Sequence, residues 1–157
     1  YFSWCTRDHN RRSVKPIPYI SASDFEDRVS VRILNNGSGP LILQKVIARH
    51  RKDSNLHGHL IDLVPFCPDN LYFTNFTKIL LGRALLPGKK VDLIDLEIDL
   101  DDPEAVGYRE QLRDFLGNLI VVVHFSDIYN SQFPIYTRQL DWFHRHKVTS
   151  KASQKRG

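Results

Sequence analysis

The sequence predicts a mostly β protein: an antiparallel β-sandwich of about seven strands with one inserted α-helix. Short apolar segments recur with turn signals about every 8 to 12 residues, and only one segment has helical spacing. A chain of 157 residues, 41% hydrophobic and 25% charged, can bury the core of one domain without a metal or disulfide. Its two cysteines, Cys5 and Cys67, are too few for a disulfide framework.

The first strand and turn signals lie between residues 29 and 49. Val29, Val31 and Ile33 alternate with polar residues, which indicates a half-buried strand. The segment NNGSGP (35–40) then predicts a turn, because Asn and Gly tolerate positive φ. LILQKVIAR (41–49) begins apolar on both faces, as expected of a central strand.

Two shorter strand candidates follow, HLIDLVPF (59–66) and LYFTNF (71–76), with prolines between them that limit ladder pairing. LLPGKK (85–90) predicts a turn that leads into the strand VDLIDLEIDL (91–100). The apolar face of that strand changes at residues 93–94, and this slip predicts a bulge or a twist.

One helix is predicted over residues 102–116. Asp101 or Asp102 is a suitable N-cap, and Pro103 fits the first turn. Gly117 is placed to close the C-terminus. The apolar side chains that follow helical spacing are Tyr108, Leu112, Phe115 and Leu116.

The last two strand candidates are LIVVVHFS (119–126), the most apolar segment of the chain, and FPIYTRQLDWF (133–143). Strands dominate too strongly for a parallel α/β fold, which requires a helix between successive strands. The number and spacing of strands favour a sandwich of immunoglobulin-like topology, with a small β-barrel as the alternative.

The charge of the chain is concentrated at its ends. The net charge is +4, with +3 in residues 1–20 and +5 in residues 144–157, so residues 21–143 carry −4. A mildly acidic body argues against nucleic-acid binding by the folded domain. The expected organisation is a membrane-proximal basic stub (1–15), a β-sandwich domain (16–146) and a disordered basic tail (147–157).

The opening residues combine aromatic and basic side chains. Aromatic residues concentrate at membrane–water interfaces, and Lys and Arg concentrate on the cytoplasmic side of a spanning helix. Because the sequence also lacks methionine, we expect a transmembrane helix upstream and a domain facing the cytoplasm. One alternative is that the aromatic residues pack on the domain, and another is that the domain lies on the opposite side of the membrane. The residues expected near the membrane are Tyr1, Phe2, Trp4, Arg7, Arg11 and Arg12.

No catalytic motif is present: the sequence has no G-x-S-x-G, no H-E-x-x-H and no glycine-rich phosphate loop. His124, Ser126 and Asp127 are residue types of a catalytic triad, but their spacing prescribes no nucleophile–base geometry. We therefore predict that the domain is not an enzyme, with a hydrolase as the alternative. His57, His59 and Cys67 lack the spacing of structural zinc sites, so neither a metal nor a cofactor is expected.

Candidate binding residues lie around the last hairpin and on three strands. Tyrosine and tryptophan are typical of recognition surfaces, although the same aromatic residues would also suit the core of a closing strand. Arginines are candidates for a ligand-sensing pocket. The candidate binding residues are Tyr129, Phe133, Tyr136, Trp142, Arg32, Arg49 and Arg83.

Three stretches together carry a family resemblance: VRILNNGSGPLILQKV, LLPGKKVDLI and VVVHFSDIYNSQFPIYTRQLDWFHRH. They resemble the soluble β-sandwich domains of uncharacterised bacterial membrane proteins, over residues 16–146. The chain departs from the family pattern at two positions: it has Phe125 where the pattern has tyrosine, and His144 where the pattern has glycine. The shared motifs are turn glycines and packing aromatics, so the resemblance implies a fold and a membrane tether and transfers no chemistry.

The sequence therefore predicts a non-enzymatic domain of a membrane-anchored protein that binds a protein partner or a small ligand, and no nucleic acid. The alternative is a ligand-sensing domain of a bacterial membrane effector in a defence-type system, which is an analogy of fold only.

Overall fold

The computed structural model describes residues 14–147, which form two antiparallel β-sheets around a shared hydrophobic core. The predicted mostly β sandwich is confirmed, and the stub and tail predictions fall largely outside the described residues. The strands are β1 (Pro18–Phe25), β2 (Arg28–Asn35), β3 (Leu41–His50), β4 (His57–Gly58), β5 (Asn75–Phe76), β6 (Ala84–Leu85), β7 (Lys90–Glu97), β8 (Leu119–Ser126) and β9 (Tyr136–Gln139). The helices are α1 (Leu60–Leu63), α2 (Pro103–Leu116) and a 3-10 helix (Asp141–His144).

One sheet has the order β1-β2-β7-β5, and the other has the order β4-β3-β8-β9 with β6 beside the start of β3. The alternating apolar residues of β2 point into the sandwich, as their spacing predicts. They share one buried cluster with residues of β3 and β8 from the opposite sheet: Val29, Val31, Ile33, Leu41, Leu43, Val46, Val121 and Val123.

Several boundaries differ from the expectations of the sequence. The segment 59–66 contains the helical turn α1 instead of a strand, because its apolar residues recur at helical spacing against the core. The last strand is only four residues long, since Pro134 has no N–H to donate and the chain turns into the 3-10 helix at Asp141. In the segment 71–76, only β5 is paired.

The helix α2 begins as predicted. The Asp102 carboxylate caps it by accepting a hydrogen bond of 3.0 Å from the N–H of Glu104. Its buried residues include Tyr108 and Leu112. Gly117 has α-helical dihedrals, so a positive φ is not the reason for glycine at this position. An added Cβ would collide with the imidazole of His144, which explains the glycine.

Two β-bulges interrupt the ladders. In the β2–β7 ladder, Val31 pairs with Ile94 and Arg32 pairs with Asp92, so Leu93 of β7 has no partner. This bulge lies where the sequence predicts an irregularity, and the prediction is confirmed. A second shift separates Leu43 from Lys45, so that Gln44 has no partner on β8.

Four segments meet at one end of the sandwich, which we call the loop end: residues 14–17, the β2–β3 turn, the β6–β7 turn and the β8–β9 loop. Asn35 joins the first three, because its amide donates to the carbonyls of Gly39 (2.8 Å) and Leu85 (2.9 Å) and accepts from the N–H groups of Ile17 (3.3 Å) and Gly37 (2.9 Å). The ammonium of Lys15 lies 5.9 Å from the ring of Phe133 in the β8–β9 loop.

Glycine is required where these segments cross. A Cβ on Gly37 would collide with the carbonyl oxygen of Lys15, and one on Gly39 would collide with Val14. In the β6–β7 turn, Gly88 has φ 76° and the N–H of Lys89 donates to Leu86 O at 3.0 Å. Pro at the second and Gly at the third position are typical of a type II turn.

Candidate functional site

A cavity of about 290 Å³ opens beside the β8–β9 loop, and we call it the Gln44 pocket. Four of its side chains are polar and three are apolar. They are Gln44, His124, Asn130, Gln132, Phe125, Phe133 and Ile135.

The bulge in β3 contributes the first polar group to the pocket. Because Gln44 is the extra residue, Lys45 takes the place opposite His124 in the β8 ladder. Gln44 is thereby exposed and lines the pocket together with His124. Bulges are common beside functional sites because they redirect a side chain without ending the strand.

The β8–β9 loop contributes the opposite wall. The carboxylate of Asp127, a residue only 5% exposed, accepts hydrogen bonds of 2.9 Å from the N–H groups of Tyr129 and Ser131. Asn130 between them has φ 56°, a conformation that asparagine tolerates better than most residues. Gln132 forms a bridge to Ser126 at the end of β8.

The polar side chains of the pocket have donors and acceptors that are available to a ligand. In residues 14–147, the side chains of Gln44, His124, Asn130 and Gln132 make no hydrogen bond with the protein. In the apolar wall, Phe125 and Phe133 stack with ring centroids 5.1 Å apart. The pocket can therefore hydrogen-bond an uncharged polar group while an apolar group contacts Phe133 or Ile135.

The triad-type residues do not form a catalytic arrangement in this geometry. His124 is partly exposed, Ser126 is buried, and no hydrogen bond joins either of them to the other or to Asp127 within the described chain. The Oδ1 atom of Asp127 already accepts from two backbone N–H groups.

A second, wider cavity of about 650 Å³ lies at the end of the sandwich that α2 covers. Its arginines, Arg109, Arg113 and Arg145, bond to protein acceptors. Asp24, whose side chain is fully buried, accepts from Arg113 Nε (2.5 Å) and Arg145 Nη1 (2.9 Å). Glu110 accepts from Arg109 at 3.0 and 3.1 Å and from Arg113 Nη1 at 2.7 Å. We interpret this arginine cluster as a structural clamp.

The four aromatic candidates have different environments. Tyr129 is 42% exposed in the β8–β9 loop, and Phe133 is in the Gln44 pocket. Tyr136 packs against the core, and its hydroxyl accepts a hydrogen bond of 3.2 Å from the N–H of Ile20. Trp142 lies in the 3-10 helix with the guanidinium of Arg145 3.7 Å from its ring centroid.

The three arginine candidates do not meet in one cavity. Arg32 is on the outer face of the β1-β2-β7-β5 sheet, where it donates to Ser30 at 2.8 Å and faces Asp92 at 3.6 Å. Arg49 is near the end of β3, and Arg83 is beside its start. Both are exposed.

The segment 59–74 is tied to α2 by Tyr108, whose hydroxyl donates to Pro65 O at 2.7 Å. Burial, with a smaller contribution from the thiol of Cys67, raises the pKa of Tyr108 far above its ordinary value, so the hydroxyl stays protonated as a donor. His57, His59 and Cys67 do not converge: within residues 14–147, no three His, Cys, Asp or Glu side chains group as metal ligands.

Comparison of the chain with models of protein families, with curated proteins and with solved structures gives no significant match. None of the helices within residues 14–147 combines the length and the apolar character that crossing a bilayer requires.

Sequence reasoning missed most of the Gln44 pocket. The available signal was the glutamine that interrupts LILQKV, because a polar residue in an otherwise apolar central strand often marks a bulge or a lined cavity. No comparable signal identified Asn130 or Gln132, which are ordinary residues of a polar loop until the fold brings them opposite Gln44.

Proposed function

We propose that this chain is a non-enzymatic binding domain of a membrane-anchored protein, and that its Gln44 pocket receives an extended peptide segment of a protein partner. The observation that carries the binding role is the convergence, in one cavity of about 290 Å³, of four side chains that make no hydrogen bond with any of residues 14–147. The pocket has the character of recognition sites, in which a few placed polar groups supplement apolar contact.

The chemistry of the lining favours a peptide. The pocket has no Lys, Arg, Asp or Glu among its lining residues, which favours an uncharged ligand. A peptide backbone presents N–H donors and C=O acceptors in alternation, and the amides of Gln44 and Gln132 can complement both. Ile135, which is 53% exposed, offers contact to an apolar side chain of the partner.

The strand order of the two sheets supports the immunoglobulin-like topology that we propose for the sandwich. In that topology, one sheet contains strands A, B, E and D, and the other contains C, F and G with C′ added at its edge in some domains. The sheet β1-β2-β7-β5 corresponds to the first, and β4-β3-β8-β9 to the second. The β8–β9 loop then occupies the F–G position, where such domains often bind partners.

Membrane anchoring is supported by the aromatic and basic residues between Tyr1 and Arg12 and by the resemblance to bacterial membrane proteins. On this proposal the domain faces the cytoplasm. The ligand-sensing alternative requires arginines free to bind an acidic ligand, whereas those of the wide cavity are bonded to Asp24 and Glu110.

Selection from a displayed peptide library tests the binding role. We expect uncharged peptides that bind the 157-residue protein, with at least about tenfold weaker binding to Gln44→Ala/Gln132→Ala, because two hydrogen bonds of about 1 kcal/mol each are lost. The matched control is Gln139→Ala, an exposed glutamine of β9 outside the pocket, with unchanged binding. Failure to select any peptide, or equal losses in both variants, would contradict the proposal.

A further inference from the structure

We infer that the loop end of the sandwich is a docking surface for an anionic lipid bilayer, so that the domain is held against the membrane in one orientation. This inference rests on the proposed membrane anchoring and adds the surface of the domain that contacts lipid. Three independent features of the loop end carry it: exposed apolar side chains, lysines without neighbouring free carboxylates, and the attachment of residues 1–13.

Exposed apolar residues cluster in the turns of the loop end. Leu86 in the β6–β7 turn is 56% exposed, and Ile128 and Tyr129 in the β8–β9 loop are 54% and 42% exposed. Apolar and aromatic side chains at loop tips insert into the boundary between headgroups and acyl chains, where the tyrosine ring is especially favourable.

Lysines surround these apolar residues. Lys15 and Lys89 in these segments and Lys90 at the start of β7 are exposed, and the only carboxylate in the four segments is that of Asp127. Asp127 is buried and bonded to backbone N–H groups, so it does not neutralise the lysines at the surface. Each lysine near an anionic membrane contributes about 1 kcal/mol of attraction.

The opposite end of the sandwich carries acidic and basic side chains together. The β1–β2 turn meets the end of β7 there, since the N–H of Ile98 donates to Asp27 O at 2.7 Å. An eight-residue strand separates the two ends by about 25 Å, more than the screening length of about 8 Å in physiological salt. The acidic residues at this far end include Glu26, Asp27, Asp99, Asp101, Asp102 and Glu104, and its basic residues include Arg51, Lys52, Arg109, Arg113 and Arg145.

The loop end is the face more strongly attracted to a negatively charged surface, because carboxylates accompany the basic side chains of the far end and no free carboxylate accompanies the lysines of the loop-end turns. The chain N-terminal to Val14 joins the fold at the loop end, where residues 14–15 cross Gly37 and Gly39. The segment proposed to approach the membrane therefore leaves from the same face that carries the lysines and apolar tips.

Vesicle co-sedimentation of the 157-residue protein tests the inference. We expect binding to vesicles of phosphatidylcholine mixed with phosphatidylglycerol and little binding to phosphatidylcholine alone. In Lys89→Gln/Lys90→Gln, the partition coefficient falls about 30-fold, the loss of two such attractions. The matched control is Arg51→Gln/Lys52→Gln, which removes two exposed charges from the β3–β4 loop near the start of β8 and changes binding by less than about twofold.

A second pair of variants tests the apolar contact. Leu86→Ser/Ile128→Ser is expected to weaken vesicle binding about tenfold. The control is Ile79→Ser/Leu81→Ser, which changes two side chains that are 81% and 78% exposed but lie outside the loop end, and it should leave binding unchanged. The inference is overturned if the protein ignores anionic vesicles. It is also overturned if the loop-end variants bind like the wild type, because residues 1–13 or the tail would then account for the binding. Neither result bears on anchoring by a transmembrane helix.

Discussion

Replacing Asp24 by alanine is expected to lower the free energy of unfolding by about 3 kcal/mol. The carboxylate is fully buried and accepts hydrogen bonds from two guanidinium groups, Arg113 at 2.5 Å and Arg145 at 2.9 Å. Removing one partner of a buried ion pair leaves the other charge uncompensated, at a typical cost of about 3–5 kcal/mol. The lower value applies because Arg113 and Arg145 retain 16% and 30% of their side-chain exposure.

Urea unfolding at neutral pH measures this change, and Asp62→Ala is the matched control. Asp62 pairs with Lys78 at 2.8 Å, but both side chains are about half exposed, so we expect a loss below about 0.5 kcal/mol. If both variants lose equally little, Asp24 does not hold α2 and the 3-10 helix to the end of β1, and the interpretation of the arginine cluster as a clamp is wrong.

Replacing Asn35 by alanine is expected to cost about 3 kcal/mol of unfolding free energy. Its side chain satisfies two buried carbonyls and two N–H groups from three segments of the loop end. Each buried polar group left without a partner costs about 1–3 kcal/mol, and access of water to the opened site reduces the total.

The neighbouring residue provides a control, since Asn36 is exposed and Asn36→Ala should change stability by less than about 0.5 kcal/mol. In Asn35→Asp, an ionised carboxylate would face the carbonyls of Gly39 and Leu85, which raises its pKa in the folded protein. Its destabilisation should therefore be largest at neutral pH and should lessen as the pH falls and the carboxyl group protonates. A pH-independent loss would contradict this account of the site.

The strands were predictable where local pattern and burial agree. The alternation of Val29, Val31 and Ile33 identified β2, and the slip at residues 93–94 located the bulge of β7. The Asp102 cap and Pro103 identified the start of α2. Each of these signals lies within a few residues of the feature it specifies.

Features that depend on residues far apart in the sequence could not be predicted from local patterns. Asp24 is one of several acidic residues in the sequence, and its burial results from contact with Arg113 and Arg145, 89 and 121 positions away. Asn35 was identified as a turn residue, whereas it ends β2 and accepts from Ile17, 18 positions earlier. The Gln44 pocket likewise combines a bulge in β3 with a loop after β8.

The two ends of the sandwich suggest a division of roles. Buried ion pairs close the end covered by α2, where Arg109, Arg113 and Arg145 are bonded to acceptors of the protein. The loop end instead exposes lysines and apolar tips, and the Gln44 pocket borders its longest loop. On the proposals above, the loop end contacts lipid while the pocket beside it receives a partner at the membrane surface.

Fractionation of the product of the complete gene in its host tests the central claim most directly. Membranes are washed with alkaline carbonate, and the domain is detected with an antibody against residues 14–147. The account predicts that the domain stays in the membrane pellet, is released only by detergent, and is digested by protease only after the cells are opened. Recovery of the intact domain in the carbonate supernatant would contradict the proposed anchoring.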